Sequence, residues 1–230
     1  MSYECTTIEQ GMKMSSAPRA GEAGESMVYV LDDDESIRLS LSSLLRSVGL
    51  TVEVFESSQQ FLAFPRREVP SCLILDVRLR GESGLTFQEE LARSGLGMPI
   101  VFMTGHGDIA MTVKAMKAGA LDFFAKPFRD QDMLDAVTQA LARDAERLAA
   151  EHSTDALRTS YASLTPREQE VMAFVVAGLM NKQIASEMNL SEITVKIHRG
   201  QAMKKMAARS VADLVRKAEA IGIAPQHRKT

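Results

Sequence analysis

Apolar residues along the chain fall into two alternating kinds of run. Short continuous runs suit strands buried on both faces, and runs with a three-to-four spacing suit amphipathic helices. Val28-Tyr29-Val30-Leu31, Cys72-Leu73-Ile74-Leu75 and Ile100-Val101-Phe102-Met103 are of the first kind. Val52-Glu53-Val54-Phe55 and Leu121–Ala125 predict two further strands. Between them, Ile37, Leu41, Leu44, Leu45 and Val48 predict a helix closed by Gly49. Further helices are predicted around Ser58–Phe64, over Leu85–Arg93, and from a cap at Asp108 through Lys117 to Gly119. Gly81 and Gly84 mark a loop after the third strand. Five strands alternating with helices predict an α/β unit, a five-stranded doubly wound parallel sheet.

A change of pattern follows. From Asp130 to Ser163 there is neither Pro nor Gly, and Ala and charged residues dominate. This predicts one long helix, its later part a linker within a stretch of about 30 residues. Its apolar stripe is thin, so pairing with a second copy and a solvated single helix both remain open. Leu164-Thr165-Pro166-Arg167-Glu168 then carries an N-cap, a first-turn proline and a capping-box glutamate. Helices are predicted from Pro166 through Val171, Met172 and Val175 to Gly178, and over Lys182–Met188 (capped by Asn181), Glu192–Ala207 (capped by Ser191) and Val211–Ala220. Two short helices joined by Asn189-Leu190-Ser191 form a helix-turn-helix within a separate all-α, four-helix unit. The expected divisions are a disordered tail 1–26, an α/β domain 27–142, a linker 143–163, a helical domain 164–220 and a tail 221–230. Met27, immediately before the first strand, is a candidate translation start.

Charge sharpens this division. The chain carries a net charge of −3, yet residues 164–230 hold 11 Lys/Arg against 6 Asp/Glu. An acidic front and a basic back suit different partners, the second a polyanion. No apolar run approaches the roughly 18 residues of a membrane helix, and the N-terminus lacks an apolar signal core. Two distant cysteines, one in a predicted buried strand, fit a reducing cytosol.

Polar residues punctuate the strand ends: Asp32 and Asp33 after the first, Asp76 after the third, Thr104 after the fourth and Lys126 after the fifth. In a parallel sheet these carboxyl ends share one edge, where ligands bind. Three carboxylates there repel one another and attract a hard divalent cation. A neutralised Asp76 can then attack phosphorus in line. Each residue alone has a plainer reading. Asp32–Asp34 is a solvated helix-capping turn, Thr104 a strand end, Lys126 an exposed residue before proline.

With Asp32-Asp33, Asp76, Thr104 and Lys126-Pro127 in this order, residues 27–142 resemble the receiver domain of bacterial two-component response regulators. The resemblance implies the strand order 2-1-3-4-5 and makes Asp76 the phosphoacceptor. It implies Mg²⁺ held by Asp33, Asp76 and the Arg78 carbonyl, with Asp32 acting directly or through water. Lys126 is implied to pair with Asp76 and then with a phosphoryl oxygen, behind a cis Lys126–Pro127 bond. Thr104 is implied to hydrogen-bond the phosphoryl group, and Phe123 to be an aromatic switch, with core packing as its plainer reading. The face of helix 108–118, strand five and the helix after it is implied as the dimer surface, with Met111, Ala115 and Ala118 as contributors.

Residues 164–220 resemble the LuxR-type DNA-binding domain of the FixJ/NarL regulators. The match rests on Leu164–Glu168, Gly178–Ala185 and Thr194–Arg199, and the chain is similar to FixJ-type regulators with a long linker helix, including those of styrene catabolism. Val195, Ala202 and Met206 should pack inward, leaving Ile193, Lys196, Ile197, Gly200 and Lys204 on another face. Ile197 suits a thymine methyl and Lys196 a guanine edge. Lys182, Arg199, Lys204 and Lys205 suit phosphates. Gln183, Thr194 and His198 join the interface, His198 for packing or phosphate rather than base reading. Gly200 disfavours helix by about 1 kcal/mol and lets backbone approach DNA.

The function expected is a phosphorylation-switched transcription regulator and not an enzyme. Its partners are a sensor histidine kinase, double-stranded DNA, a second copy on phosphorylation, and RNA polymerase as a further candidate. It needs no membrane and fits the cytoplasm. A metal-dependent phosphatase would want an Asp where Arg78 stands. A regulator gated by a small apolar ligand would need a cavity in the front domain.

Overall fold

Residues 26–105 and 109–223 are described by the structure, a computed structural model, in two units divided at Asp144/Ala145. The expected helix cap at Asp108, nearly all of the expected N-terminal tail, and residues 224–230 lie outside the described residues.

The first unit contains β1 (Met27–Leu31), α1 (Glu35–Ser47), β2 (Thr51–Phe55), α2 (Ser58–Ala63) and β3 (Ser71–Asp76). A short hairpin follows, β4 (Arg78–Leu79) and β5 (Glu82–Ser83), then α3 (Gly84–Arg93), β6 (Ile100–Thr104), α4 (Ile109–Lys117), β7 (Asp122–Ala125) and α5 (Asp130–Ala162). The sheet order is β2-β1-β3-β6-β7, every pair parallel.

Strand alternation explains why the apolar runs are continuous. Tyr29, Leu31, Leu73, Leu75, Ile100 and Phe102 enter one buried layer with Phe61, Phe87, Leu91 and Ala115. Val28, Val30, Cys72, Ile74, Val101 and Met103 enter the opposite layer with Leu41, Leu45, Met133, Ala136, Val137 and Ala140. A strand buried on both faces needs apolar residues at every position. In α5 the buried stripe Met133, Ala136, Val137, Ala140 runs on to Asp144, a buried carboxylate that accepts the Ser71 amide at 2.8 Å. Burial pushes the Cys72 thiol up to about 12, so it packs as a small apolar group.

Three local expectations change. The Gly81–Gly84 loop holds the β4–β5 hairpin, paired Arg78 to Ser83 and Leu79 to Glu82. Gly84 starts α3 rather than preceding it, and it lies so close to the end of β3 that a Cβ there would collide with the Asp76 carbonyl oxygen. Ala115 is fully buried and so cannot belong to a dimer surface, whereas Met111 is half-buried and Ala118 exposed.

In the second unit the last turns of α5 bring Leu157 and Tyr161 onto a core shared by α6 (Pro166–Val176), α7 (Asn181–Met188), α8 (Glu192–Lys205) and α9 (Val211–Ala220). Val171, Met172, Ile184, Val195, Ala202, Met206 and Leu214 are its centre. The α5 stretch is thus not merely a solvated linker: it is buried at Asp144 and packed again at Leu157. Ile221 and Ile223 also pack here, within what the sequence suggested was a tail.

Caps set the helix boundaries. Thr165 accepts from the Glu168 amide while Glu168 returns to the Thr165 amide at 2.8 Å. Ser191 and Ser210 cap α8 and α9. The α7 start differs from expectation. Gln183 Oε1 accepts the Met180 amide at 2.8 Å, and Asn181, the expected cap, instead accepts from Arg199 Nη1 at 2.9 Å. Asn189 turns the chain in a left-handed conformation (φ 53°) before α8, one that Asn tolerates better than most residues.

Candidate metal centre and nucleic-acid interface

Each acidic residue is fixed at the end of a strand. Asp32, directly after β1, is fully buried; its carbonyl accepts from Arg38 Nη1 at 2.7 Å. Its Oδ1 takes the Asp34 amide at 2.8 Å, and its Oδ2 takes Lys126 Nζ at 2.6 Å. Asp76 ends β3; its Oδ1 takes the Arg78 amide at 2.9 Å and its Oδ2 takes the same Lys126 Nζ at 2.7 Å. Asp33 is partly exposed, and its Oδ2 takes Arg80 Nε at 3.2 Å. Asp34 stands apart, capping α1 through the Ser36 amide.

One carboxylate oxygen from each of Asp32, Asp33 and Asp76 lies within 4.8 Å of the others, the one such group of His, Cys, Asp and Glu among the described residues. Three hard oxygen donors at this separation fit a hard divalent cation, which takes carboxylate oxygens and keeps waters. The arrangement favours small oxygen-binding ions over the soft metals that seek thiolate or imidazole.

Electrostatics follow from burial. Burial raises the Asp32 carboxyl above the ordinary carboxylate range, against the pull of Lys126 and the Asp34 amide. Burial alone would lower Lys126, but its hydrogen bonds to Asp32 and Asp76 more than offset this and raise it. Lys126 is therefore a cation shared between two carboxylates.

The remaining residues sit on neighbouring strand ends. Thr104 closes β6, next to Asp76, whose register partner is Met103. It is buried, and its carbonyl accepts the Lys126 amide at 2.7 Å. The Lys126–Pro127 bond is cis. Phe123 and Phe124 take opposite faces. Phe123 packs half-buried in the layer of Phe102, ring centroids 6.2 Å apart, while Phe124 meets Phe128 in the other layer. By strand alternation Thr104 belongs to the face of Ile100 and Phe102, so the hydroxyl and the Phe123 ring share a layer.

In the helical unit, α8 divides as its periodicity requires. Val195, Ala202 and Met206 are buried. Ile193 is 74% exposed and Ile197 58% exposed, and Lys196, Gly200 and Lys204 are exposed beside them. Large exposed aliphatics flanked by lysines are a surface that loses free energy to water unless covered. Nothing approaches within 4 Å of a Cβ built on Gly200, so neither packing nor an unusual φ demands glycine there.

Other candidates are already engaged within the unit. Lys205 pairs with Glu168 Oε2 at 2.7 Å and the Ser163 carbonyl at 3.1 Å, tying α8 to the α6 cap. Arg199 is held by Asn181, and Thr194 Oγ1 lies 2.8 Å from Ser191 Oγ. His198 is half-buried, whereas Lys182 and Gln183 are exposed at the start of α7. Sequence reasoning missed two cations, Arg80 on Asp33 and Lys217, which donates to the Met206 and Ala207 carbonyls at the end of α8. Neither lies in a periodic pattern, because both interactions form between separate elements.

Residues 28–138 match the response regulator receiver domain, and residues 162–218 match the bacterial regulatory proteins of the LuxR family. The chain is 49% identical over 195 residues to the response regulator protein TmoT of Ectopseudomonas mendocina, covering 85% of this chain and 89% of that protein. It is 55% identical over 203 residues to nodulation protein W of Bradyrhizobium diazoefficiens, covering 88% and 89%. The chain belongs to the two-component response regulators. This regulator joins a receiver domain to a LuxR-type DNA-binding domain and acts in transcriptional regulation. The solved structure of the response regulator StyR, at 49% identity, covers 85% of this chain and 98% of its own, with a TM-score of 0.76. The acidic strand-end cluster of the regulator lies in the receiver match, and the exposed face of α8 lies in the LuxR match. No helix among the described residues is long and apolar enough to cross a membrane.

Proposed function

We propose that Asp76 of this regulator takes a phosphoryl group from a sensor histidine kinase, and that its filling drives pairing of two copies and binding to double-stranded DNA. The observation that carries this reading is the shared cation. Lys126 Nζ lies 2.7 Å from Asp76 Oδ2 and 2.6 Å from Asp32 Oδ2, so the nucleophile sits beside a charge that can follow a phosphoryl oxygen. In the transfer the histidine N–P bond breaks as the Asp76 O–P bond forms.

Asp32, Asp33 and Asp76 are the residues to hold Mg²⁺, with the Arg78 carbonyl as a further ligand. Bound there, Mg²⁺ supplies charge neutralisation between carboxylates and phosphoryl oxygens. Thr104, one step beyond the Asp76 partner in β6, donates its hydroxyl to the phosphoryl group. Because Thr104 and Phe123 share a layer, a shift of the hydroxyl opens room for the Phe123 ring to turn inward, changing the surface of α4 and β7. Ile109, Val113 and Met116 are exposed along α4 at helical spacing and suit pairing of two copies.

On DNA, α8 is the recognition helix. Lys196 and Ile197 read base edges, Lys182 and Lys204 neutralise phosphates, and Gln183, Thr194, His198 and Arg199 support that interface. Lys205, committed to Glu168, serves to position α8. RNA polymerase is a further partner on promoter DNA, and the cytoplasm is the compartment that holds these partners. The reaction leaves the phosphoryl group on the protein itself, so the chain acts as a switch rather than an enzyme.

Incubation with acetyl phosphate and Mg²⁺ tests the acceptor. Wild type should gain one phosphoryl group by intact mass and Asp76→Asn none. Equal labelling of the two would overturn the assignment.

A further inference from the structure

The two cations of the acidic site are held on unequal terms. Lys126 is mostly buried, its side chain 17% exposed, and touches two carboxylates at 2.6 and 2.7 Å. Arg80 is 80% exposed and donates from Nε to Asp33 Oδ2 at 3.2 Å. Arg80 sits at the tip of the β4–β5 hairpin next to Gly81, whose φ is +81°. The hairpin base is fixed by the Arg78–Ser83 and Leu79–Glu82 pairing, and Ser58 Oγ donates to Glu82 Oε2. A fixed hairpin thus carries an exposed guanidinium to one carboxylate of the cluster. Among the three carboxylates, both oxygens of Asp32 and of Asp76 are taken by backbone amides and Lys126. Asp33 alone is held by a side chain that can leave into water.

We infer that Arg80 competes with the divalent cation for Asp33 and so sets the metal affinity of the site. This inference rests on the reading of Asp32, Asp33 and Asp76 as the metal ligands. A guanidinium on Asp33 neutralises the carboxylate that a metal needs and occupies one of its oxygens. An ion entering on that oxygen displaces Arg80, and one entering on the other still meets its positive charge, which stays nearby and opposes binding. An exposed pair is weak and screened by salt, so Arg80 tunes the affinity without blocking the site. Arg80 is a positioning residue: it acts through Asp33 and touches neither phosphorus nor the attacking oxygen.

Isothermal titration of the unphosphorylated full chain with Mg²⁺ alone reads this directly, with no phosphoryl donor present. Arg80→Gln should bind Mg²⁺ about three- to tenfold more tightly than wild type at low salt, and the gap should narrow at about 0.5 M NaCl. Arg80→Lys, which keeps the charge, should stay within about twofold of wild type, and thermal unfolding of both variants should match wild type, since the side chain is exposed. Asp33→Asn should lose most of the binding. Equal or weaker binding by Arg80→Gln, with wild type and Asp33→Asn behaving as stated, overturns the role of Arg80 alone. If wild type takes up no Mg²⁺, or Asp33→Asn binds as wild type does, the ligand assignment fails and the Arg80 inference with it.

Discussion

Lys126 Nζ lies 2.7 Å from Asp76 Oδ2, although 50 residues and a whole strand, β6, separate the two. Their meeting depends on the order β3-β6-β7, which brings the carboxyl ends of all three strands to one edge. Asp32 then shares the same ammonium from the other side.

Removing that ammonium should expose the cost of a buried carboxylate. Lys126→Met leaves Asp32 buried and short of a charged partner, so unfolding free energy at pH 7 should fall by about 1–3 kcal/mol. The pH dependence has a definite sign. Asp32 is already above the ordinary carboxylate range, and losing Lys126 moves it further up, so acidification relieves the variant more than wild type. In wild type, Lys126 is raised above its ordinary value, so its contribution is complete at neutral pH and is lost only as pH rises through its elevated folded value. Urea unfolding at pH 7 and pH 5 should show the deficit shrinking on acidification. A deficit that is constant or grows would contradict the account.

Gly84 should tolerate no side chain. A Cβ would strike the carbonyl oxygen of Asp76, which is backbone and cannot swing away. Gly84→Ala should therefore cost about 1–3 kcal/mol through overpacking and displace Asp76 enough to slow its labelling by acetyl phosphate. Gly200→Ala should instead be neutral or stabilising in the free protein, since nothing surrounds its Cβ. Urea unfolding should show a loss of stability for Gly84→Ala and no loss for Gly200→Ala.

The exposed face of α8 should carry the salt dependence of DNA binding. Each neutralised phosphate releases counterions, so Lys196→Glu with Lys204→Glu should lower the slope of log K against log salt by about one unit for every phosphate left without its lysine. Ile197→Ala should weaken binding without changing the slope, because an aliphatic side chain neutralises no phosphate. Lys205→Gln should act differently again: it lowers stability by releasing Glu168, whose carboxyl is held below the ordinary range by Lys205 and the Thr165 amide. That contribution is present at neutral pH and lost as pH falls through the lowered value of Glu168. Fluorescence anisotropy across salt concentrations, alongside thermal unfolding, separates the three cases.

The sheet was legible in the sequence because strands buried on both faces leave continuous apolar runs, and Leu73–Leu75 ending in Asp76 is the clearest of them. The strand-end set Asp32, Asp33, Asp76, Thr104 and Lys126 was legible for a related reason, as each polar residue interrupts an apolar run at the same edge. The inward residues of α8 followed from helical periodicity, and Val195, Ala202 and Met206 are indeed buried. What local pattern could not supply was pairing between distant elements. Lys205 reads as one more lysine on a basic helix until its ion pair with Glu168 is seen. Arg80 reads as a loop cation until the β4–β5 hairpin turns it toward Asp33. Ala115 shares the composition of a surface helix, yet it faces the core. Gly84 looks like loop punctuation, and only the close approach of α3 to the end of β3 gives it a reason.

A phosphoryl group on Asp76 should change DNA occupancy. The most direct measurement is anisotropy of a fluorescent duplex, selected by this protein from random sequence, titrated with the full chain before and after treatment with acetyl phosphate and Mg²⁺. Treated wild type should bind at least about tenfold more tightly than untreated, a coupling of about 1.4 kcal/mol, and Asp76→Asn should bind alike in both conditions. Unchanged affinity of wild type on stoichiometric phosphorylation, or an equal gain by Asp76→Asn, would contradict it.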